Sequence, residues 1–208
     1  MTAWYSCRLC RQTTEQIFAF SHLHYWMFEH NFENQTTNEM SVKYKIRDQQ
    51  GLHFFTCTIC GWVDLFSRTF FREIILDSWW YCQEHKGLQI WGYVFMTNHI
   101  HFIANAKSPH KLEDILRDFK AHTAKKILEL LHDGKTQESR REWLLYLFQY
   151  FGKRLKNARH QVWIHDNHPI ELYSEAVVIQ KLRYIHNNPV EANWVKHPPF
   201  VCRHNRQE

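Results

Sequence analysis

The stretch Trp91-Gly92-Tyr93-Val94-Phe95-Met96-Thr97-Asn98, followed by His99-Ile100-His101-Phe102-Ile103-Ala104, constrains the fold more than any other part of the chain. The apolar run reads as a buried strand, Thr97-Asn98 as its turn, and His99 to Ala104 as the next strand. Side chains alternate across a strand, so His99, His101 and Ile103 share one face and both imidazoles aim at one point. Two converging neutral imidazoles make half of a metal site. The chain holds 16 histidines, and a second His-x-His occurs at His22-Leu23-His24, so the pair needs company elsewhere.

That company is in Gln180-Lys181-Leu182-Arg183-Tyr184-Ile185-His186-Asn187-Asn188-Pro189-Val190. Ser174 reads as an N-cap, Pro189 as the stop, and Val178, Leu182 and Ile185 recur at helical spacing between them. Lys181, Tyr184 and Asn188 fall on a stripe beside the apolar one, so a phenol and an amide project together. Taken alone, this helix also allows a plainer reading, with Tyr184 as a packing aromatic and Asn188 as a C-cap before the proline.

Three segments together resemble the REP-associated tyrosine transposases, a branch of the small HUH single-strand transposases of bacterial insertion sequences. They are Tyr93 to Ile103, Arg117-Asp118-Phe119-Lys120, and Tyr184-Ile185-His186-Asn187-Asn188-Pro189-Val190-Glu191-Ala192. The resemblance runs from about Met40 to about Val195. It implies that His99 and His101 are metal ligands, Tyr184 the nucleophile and Asn188 the third ligand. It further implies metal-dependent cleavage and strand transfer of single-stranded DNA through a 5′-phosphotyrosine, on short palindromes folded as hairpins. Mg²⁺ or Mn²⁺ is the expected ion, since a hard oxygen ligand and waters would complete the shell. Relatives of this kind act as monomers or as dimers that share tyrosine helices, so a homodimer stays open here.

Two stretches depart from the family pattern. The tail 201–208, Val201-Cys202-Arg203-His204-Asn205-Arg206-Gln207-Glu208, lacks the Tyr and paired Ser that usually follow. Residues 1–39 have no counterpart, so Met40 is the expected natural start and the transposase domain is expected over 40–200.

Charge agrees with a polyanionic partner. Residues 1–39 hold two Arg and four Glu of the chain's 26 basic and 21 acidic residues, which leaves the body at +7 and the leader at −2. Candidate backbone contacts are Lys107, Arg117, Lys120, Lys125, Lys153, Arg154, Lys156 and Arg159, with Trp163 or His186 able to stack on bases. No stretch is long and apolar enough for a membrane span and no signal sequence opens the chain, so the expected setting is the bacterial cytoplasm, beside the nucleoid.

Cysteine spacing suggests zinc and then excludes it. Cys7-x2-Cys10 and Cys57-x2-Cys60 lie much farther apart than the usual gap of about 15–20 residues. Cys57 and Cys60 also sit at an odd offset in an apparent strand, which sends the sulfurs to opposite faces. They read, with Cys82 and Cys202, as reduced thiols.

The remaining periodicities predict a strand near Leu52 to Cys60 and a helix from about Arg68 to His85. A second helix is capped by Ser108 and ends at Gly134, a further one spans Glu142 to Tyr150, and a strand spans Gln161 to Ile164. With 44% hydrophobic residues among 208, one sizeable core is expected. The element order is that of an α+β fold, a ferredoxin-like antiparallel sheet with helices packed on one face. Two other functions fit parts of the pattern. One is a decayed or domesticated hairpin DNA-binding protein; the other is a histidine-dependent nucleotide hydrolase or transferase, against which Ile103 stands where a third alternating histidine would be.

Overall fold

A computed structural model describes residues 46–134, 136–154 and 158–197. The leader 1–39, the Met40 start, Lys156 and the tail 201–208 lie outside the described residues.

The described residues form four strands and four long helices in the order βαββααβα. β1 (His53–Thr58) leads through two 3-10 turns, Cys60–Trp62 and Leu65–Ser67, into α1 (Thr69–His85). The hairpin β2 (Leu88–Phe95) and β3 (His99–Ala106) follows, then α2 (Leu112–Asp133), α3 (Arg141–Lys153), β4 (Ile170–Glu171) and α4 (Glu175–Glu191). The sheet order is β2-β3-β1-β4, with every neighbouring pair antiparallel. This is the split βαβ arrangement of an α+β, ferredoxin-like sheet, as the element order predicts.

The pleat divides the core in two. Phe55, Cys57, Ile100, Phe102 and Ala104 point to one face, where Phe71, Ile75, Trp79 and Cys82 of α1 and Ile115, Phe119 and Ile127 of α2 cover them. These helical positions recur every three or four residues, which is why each helix has one apolar face to bury. Phe54, Val94 and Ile103 point the other way and meet Ile185, Leu182 and Val178 of α4. So α1 and α2 share a face as expected, whereas α4 takes the opposite one. The reason lies in the pleat: the alternate residues of β1 and β3 are also apolar and need their own cover.

In β2 a bulge between Ile90 and Gly92 resets the alternation, so Leu88 and Ile90 share a face with Tyr93 and Phe95. Trp91, the extra residue, turns outward and donates its indole N–H to Asn105. Gly92 is a close-approach glycine, since a Cβ there would stand 3.1 Å from Leu182 Cδ2 of α4.

Two element boundaries differ from the sequence reading. Gln161 to Ile164 makes a single bridge, Trp163 to Ile59, rather than a strand, and the paired edge is Ile170–Glu171. Between them Thr56 N–H donates to Asn167 O, so one broken edge runs the length of β1. The segment is irregular because Lys120 and Trp163 pull it toward α2: Trp163 is buried and gives its N–H to Thr123 Oγ1 at 3.0 Å. In α4, Ser174 caps the start through Val177 N–H as predicted, but the helix carries Pro189 within it and ends at Glu191. α2 begins at Leu112 rather than next to Ser108, and closes at Gly134 in the left-handed conformation, φ 69°.

Candidate active site

The β1–β3 register sets Thr58 opposite His99, Thr56 opposite His101 and Phe54 opposite Ile103. These residues therefore form a patch on the α4 face, and α4 lays Tyr184 and Lys181 onto it. His99 Nε2 and His101 Nε2 are 3.1 Å apart. The Tyr184 hydroxyl is 3.5 Å from His101 Nε2, and the two rings meet edge to face at 5.2 Å. Phe54 stacks on His101 and meets the Tyr184 ring edge to face, so it packs against both rings.

Partners on the other ring nitrogens orient the imidazoles. Asn98 Nδ2 donates to Trp62 O, which turns Asn98 Oδ1 toward His99 Nδ1 at 2.6 Å. That oxygen can only accept, so His99 carries its proton on Nδ1 and keeps a lone pair on Nε2. His101 Nδ1 lies 2.9 Å from Thr56 Oγ1, a hydroxyl that accepts when His101 Nε2 must act as a donor of electrons. With both protons on Nδ1, the two Nε2 lone pairs would converge on one cation.

The spacing suits a divalent ion. Ligands at about 2.1 Å in neighbouring octahedral positions stand about 3.0 Å apart, close to the observed 3.1 Å. Among the described residues no group of three His, Cys, Asp or Glu is placed to hold a metal. Two imidazoles completed by neutral oxygens, from an amide or water, would suit Mn²⁺ or Mg²⁺ rather than a thiolate-loving ion. Cys57 and Cys60 are buried, and burial pushes the Cys60 thiol up to about 12, so neither offers a thiolate.

Asn188 is buried one helical turn beyond Tyr184, on the side from which its amide opposes the rise of the phenol pKa. Burial raises the Tyr184 pKa, the Asn188 contact opposes this, and Glu191 adds to it. Lys181 places its ammonium 4.8 Å from the Phe54 ring centre and 5.6 Å from that of Tyr184. Thr56, Phe54, Asn98 and Lys181 are the site residues that motif reasoning did not assign. Lys181 left a readable signal by sharing the Tyr184 stripe and Asn98 by preceding His99; Thr56 and Phe54 depend on register.

The expected DNA contacts scatter. Lys107 follows the end of β3, a strand length of about 25 Å from His99. Arg117 is exposed but paired with Asp114 and Asp118, and Lys125 pairs with Glu129 at 3.8 Å. Arg159 is exposed. Lys153 and Arg154 are exposed at the end of α3, which packs through Phe151 and Leu147 on Gly61. Lys120 corrects its expected role: Nζ donates to the carbonyls of Ile164, His165 and Asp166 at 2.7, 3.2 and 3.4 Å, and burial lowers its pKa. It clamps the broken edge, and its three donors are used. Trp163 is likewise a core residue, and His186 is half-buried with its Nε2 enclosed.

No family model and no curated protein matches the sequence. Among solved structures the chain is similar to a REP-associated tyrosine transposase bound to a REP hairpin, at 16% identity and a TM-score of 0.48, over 73% of this chain and 74% of that one. It is also similar to a candidate transposase from Deinococcus radiodurans R1, at 14% identity and a TM-score of 0.41, over 70% and 96% of the two chains. Likenesses this distant leave the chemistry to be argued from the site itself.

Proposed function

We propose that this chain is a single-strand DNA transferase in which Tyr184 attacks a phosphodiester held over His99 and His101. The observation that carries the reading is the Tyr184 hydroxyl 3.5 Å from a paired imidazole whose own partner is 3.1 Å away. A structural tyrosine needs no such neighbours.

In the proposed reaction the Tyr184 oxygen forms a bond to phosphorus as the P–O3′ bond breaks. The leaving 3′ oxygen gains a proton, and the phenol loses its own to solvent. The strand is left with a free 3′ hydroxyl and a 5′ phosphate on Tyr184. Attack by a second 3′ hydroxyl reverses the step, releasing Tyr184 and joining the strands, so no nucleotide cofactor is consumed. Asn188, one turn further along α4, lowers the Tyr184 pKa and so favours the anionic phenol. Lys181 sits beside the same ring and neutralises a non-bridging phosphate oxygen.

His99, His101 and Asn188 would hold Mg²⁺ or Mn²⁺, which when bound supplies charge neutralisation at the phosphate. The resemblance supplies the substrate class, palindromic DNA folded as a hairpin with a single-stranded cleavage site. A binding protein that keeps the hairpin site without cleavage is the second reading. Incubating the full chain with Mn²⁺ and single-stranded oligonucleotides from palindromes flanking its gene separates the two. A covalent adduct on a denaturing gel supports transfer, and tight binding without an adduct supports the binding protein.

A further inference from the structure

The outer face of α3 is aromatic where a solvent-facing helix is ordinarily charged. Trp143, Tyr146 and Tyr150 are 50%, 66% and 46% exposed and follow one another at about one-turn spacing, and the same face ends in the exposed pair Lys153 and Arg154. The inward face of this helix already has its partners, since Leu144 and Phe148 are fully buried in the main core. The outward rings therefore contribute nothing to that core.

We infer that this face is a stacking track for single-stranded nucleic acid. Three features select that occupant over a protein partner. Flat rings spaced about 5.4 Å along one line suit successive bases, each of which has a π-face whatever its sequence. Charge is placed for phosphates at one end, where the Arg154 guanidinium lies 5.3 Å from the Tyr150 ring centre beside Lys153. The acidic residue on this face, Glu142, is already paired with Arg141 at 2.6 Å. The basic end also faces the right way. Phe151 packs on Gly61, and the next residue, Trp62, is exposed and meets the His99 ring edge to face at 6.5 Å. A strand laid along α3 is thus led toward the imidazole pair. That direction rests on the proposed function; the track itself stands on the rings and charges alone.

The test uses the full chain and a fluorescent oligothymidylate, with a duplex of equal length as control. Tyr146→Ala with Tyr150→Ala should weaken single-strand binding by about tenfold or more, while Tyr146→Phe with Tyr150→Phe stays within about twofold of wild type. Duplex binding should change little. Single-strand affinity unaltered in the alanine variant overturns the inference, as does equal loss in the phenylalanine variant, which would assign the effect to the hydroxyls. Adduct formation is read in parallel. An adduct with no loss of affinity sinks the track and leaves the transferase; loss of affinity in a protein that never forms an adduct does the reverse.

Discussion

The Tyr184 hydroxyl lies 3.5 Å from His101 Nε2, although the two residues are 83 positions apart in the chain. Neither side chain moves freely. His101 is fixed by Thr56 on its other nitrogen, and Tyr184 by the Phe54 ring and the Lys181 ammonium. Two side chains held from both sides in this way are pre-organised for the proposed reaction.

His99→Ala or His101→Ala should abolish Mn²⁺-dependent cleavage while hairpin affinity stays within about a few-fold, because phosphate contacts elsewhere supply most of the binding. Thr56→Val keeps the shape and removes the oxygen on His101 Nδ1. Calorimetric Mn²⁺ affinity should fall about 10–100-fold. Unchanged affinity in the valine variant would show that Thr56 does not orient the ligand.

Lys181→Met should lower the rate of adduct formation more than it weakens DNA binding, since its charge sits beside the Tyr184 ring. A single-turnover rate of about one tenth or less is expected, partly restored by Arg. Loss of binding alone, with the rate intact, would make Lys181 an ordinary phosphate contact.

Lys120→Met should act on stability and leave DNA binding alone. It strips three carbonyls of their donor, a loss of about 2–3 kcal/mol in urea unfolding. A lysine on DNA would instead change the salt dependence of binding, so an unaltered salt slope with a lowered urea midpoint is the expected signature.

The two site histidines were legible in the sequence because strand parity is rigid: once His99 to Ile103 is a strand, both imidazoles share a face whatever the partner. Tyr184 and Asn188 were legible through helical phase. Thr56 was not, because its place beside His101 depends on the β1–β3 register, which no local signal sets. Lys120 was misread as a surface cation because its partners lie 44 to 46 residues away. The predicted strand at 161–164 failed for a related reason: Val162 and Trp163 have strand-like side chains, but their anchoring to α2 leaves only one bridge to β1. Pro189 fits inside α4 because the chain is within three residues of the helix end, where one lost hydrogen bond does little harm.

Glu138 makes stability depend on pH at the junction before α3. Its side chain is fully buried and takes hydrogen bonds from Arg140 and an ion pair from Arg68, and the Arg140 contact lowers its pKa below the ordinary 4.5. A carboxyl whose folded pKa is depressed stabilises above its unfolded value and loses that contribution as pH falls through the folded one. Unfolding free energy should therefore decline below about pH 4.5 in the wild type. Glu138→Gln should be about 3 kcal/mol less stable at pH 7 and show less of this decline. An equal decline in both proteins would place the acid sensitivity elsewhere.

The most direct measurement is the site of the covalent bond. The full chain is incubated with Mn²⁺ and its single-stranded palindromic DNA, denatured, digested with nuclease and protease, and mapped by mass spectrometry. A nucleotide phosphate on the peptide that carries Tyr184, and none formed by Tyr184→Phe in a normally folded, DNA-binding protein, is the predicted result. A phosphate on another tyrosine such as Tyr173, or an adduct that persists in the phenylalanine variant, would contradict it.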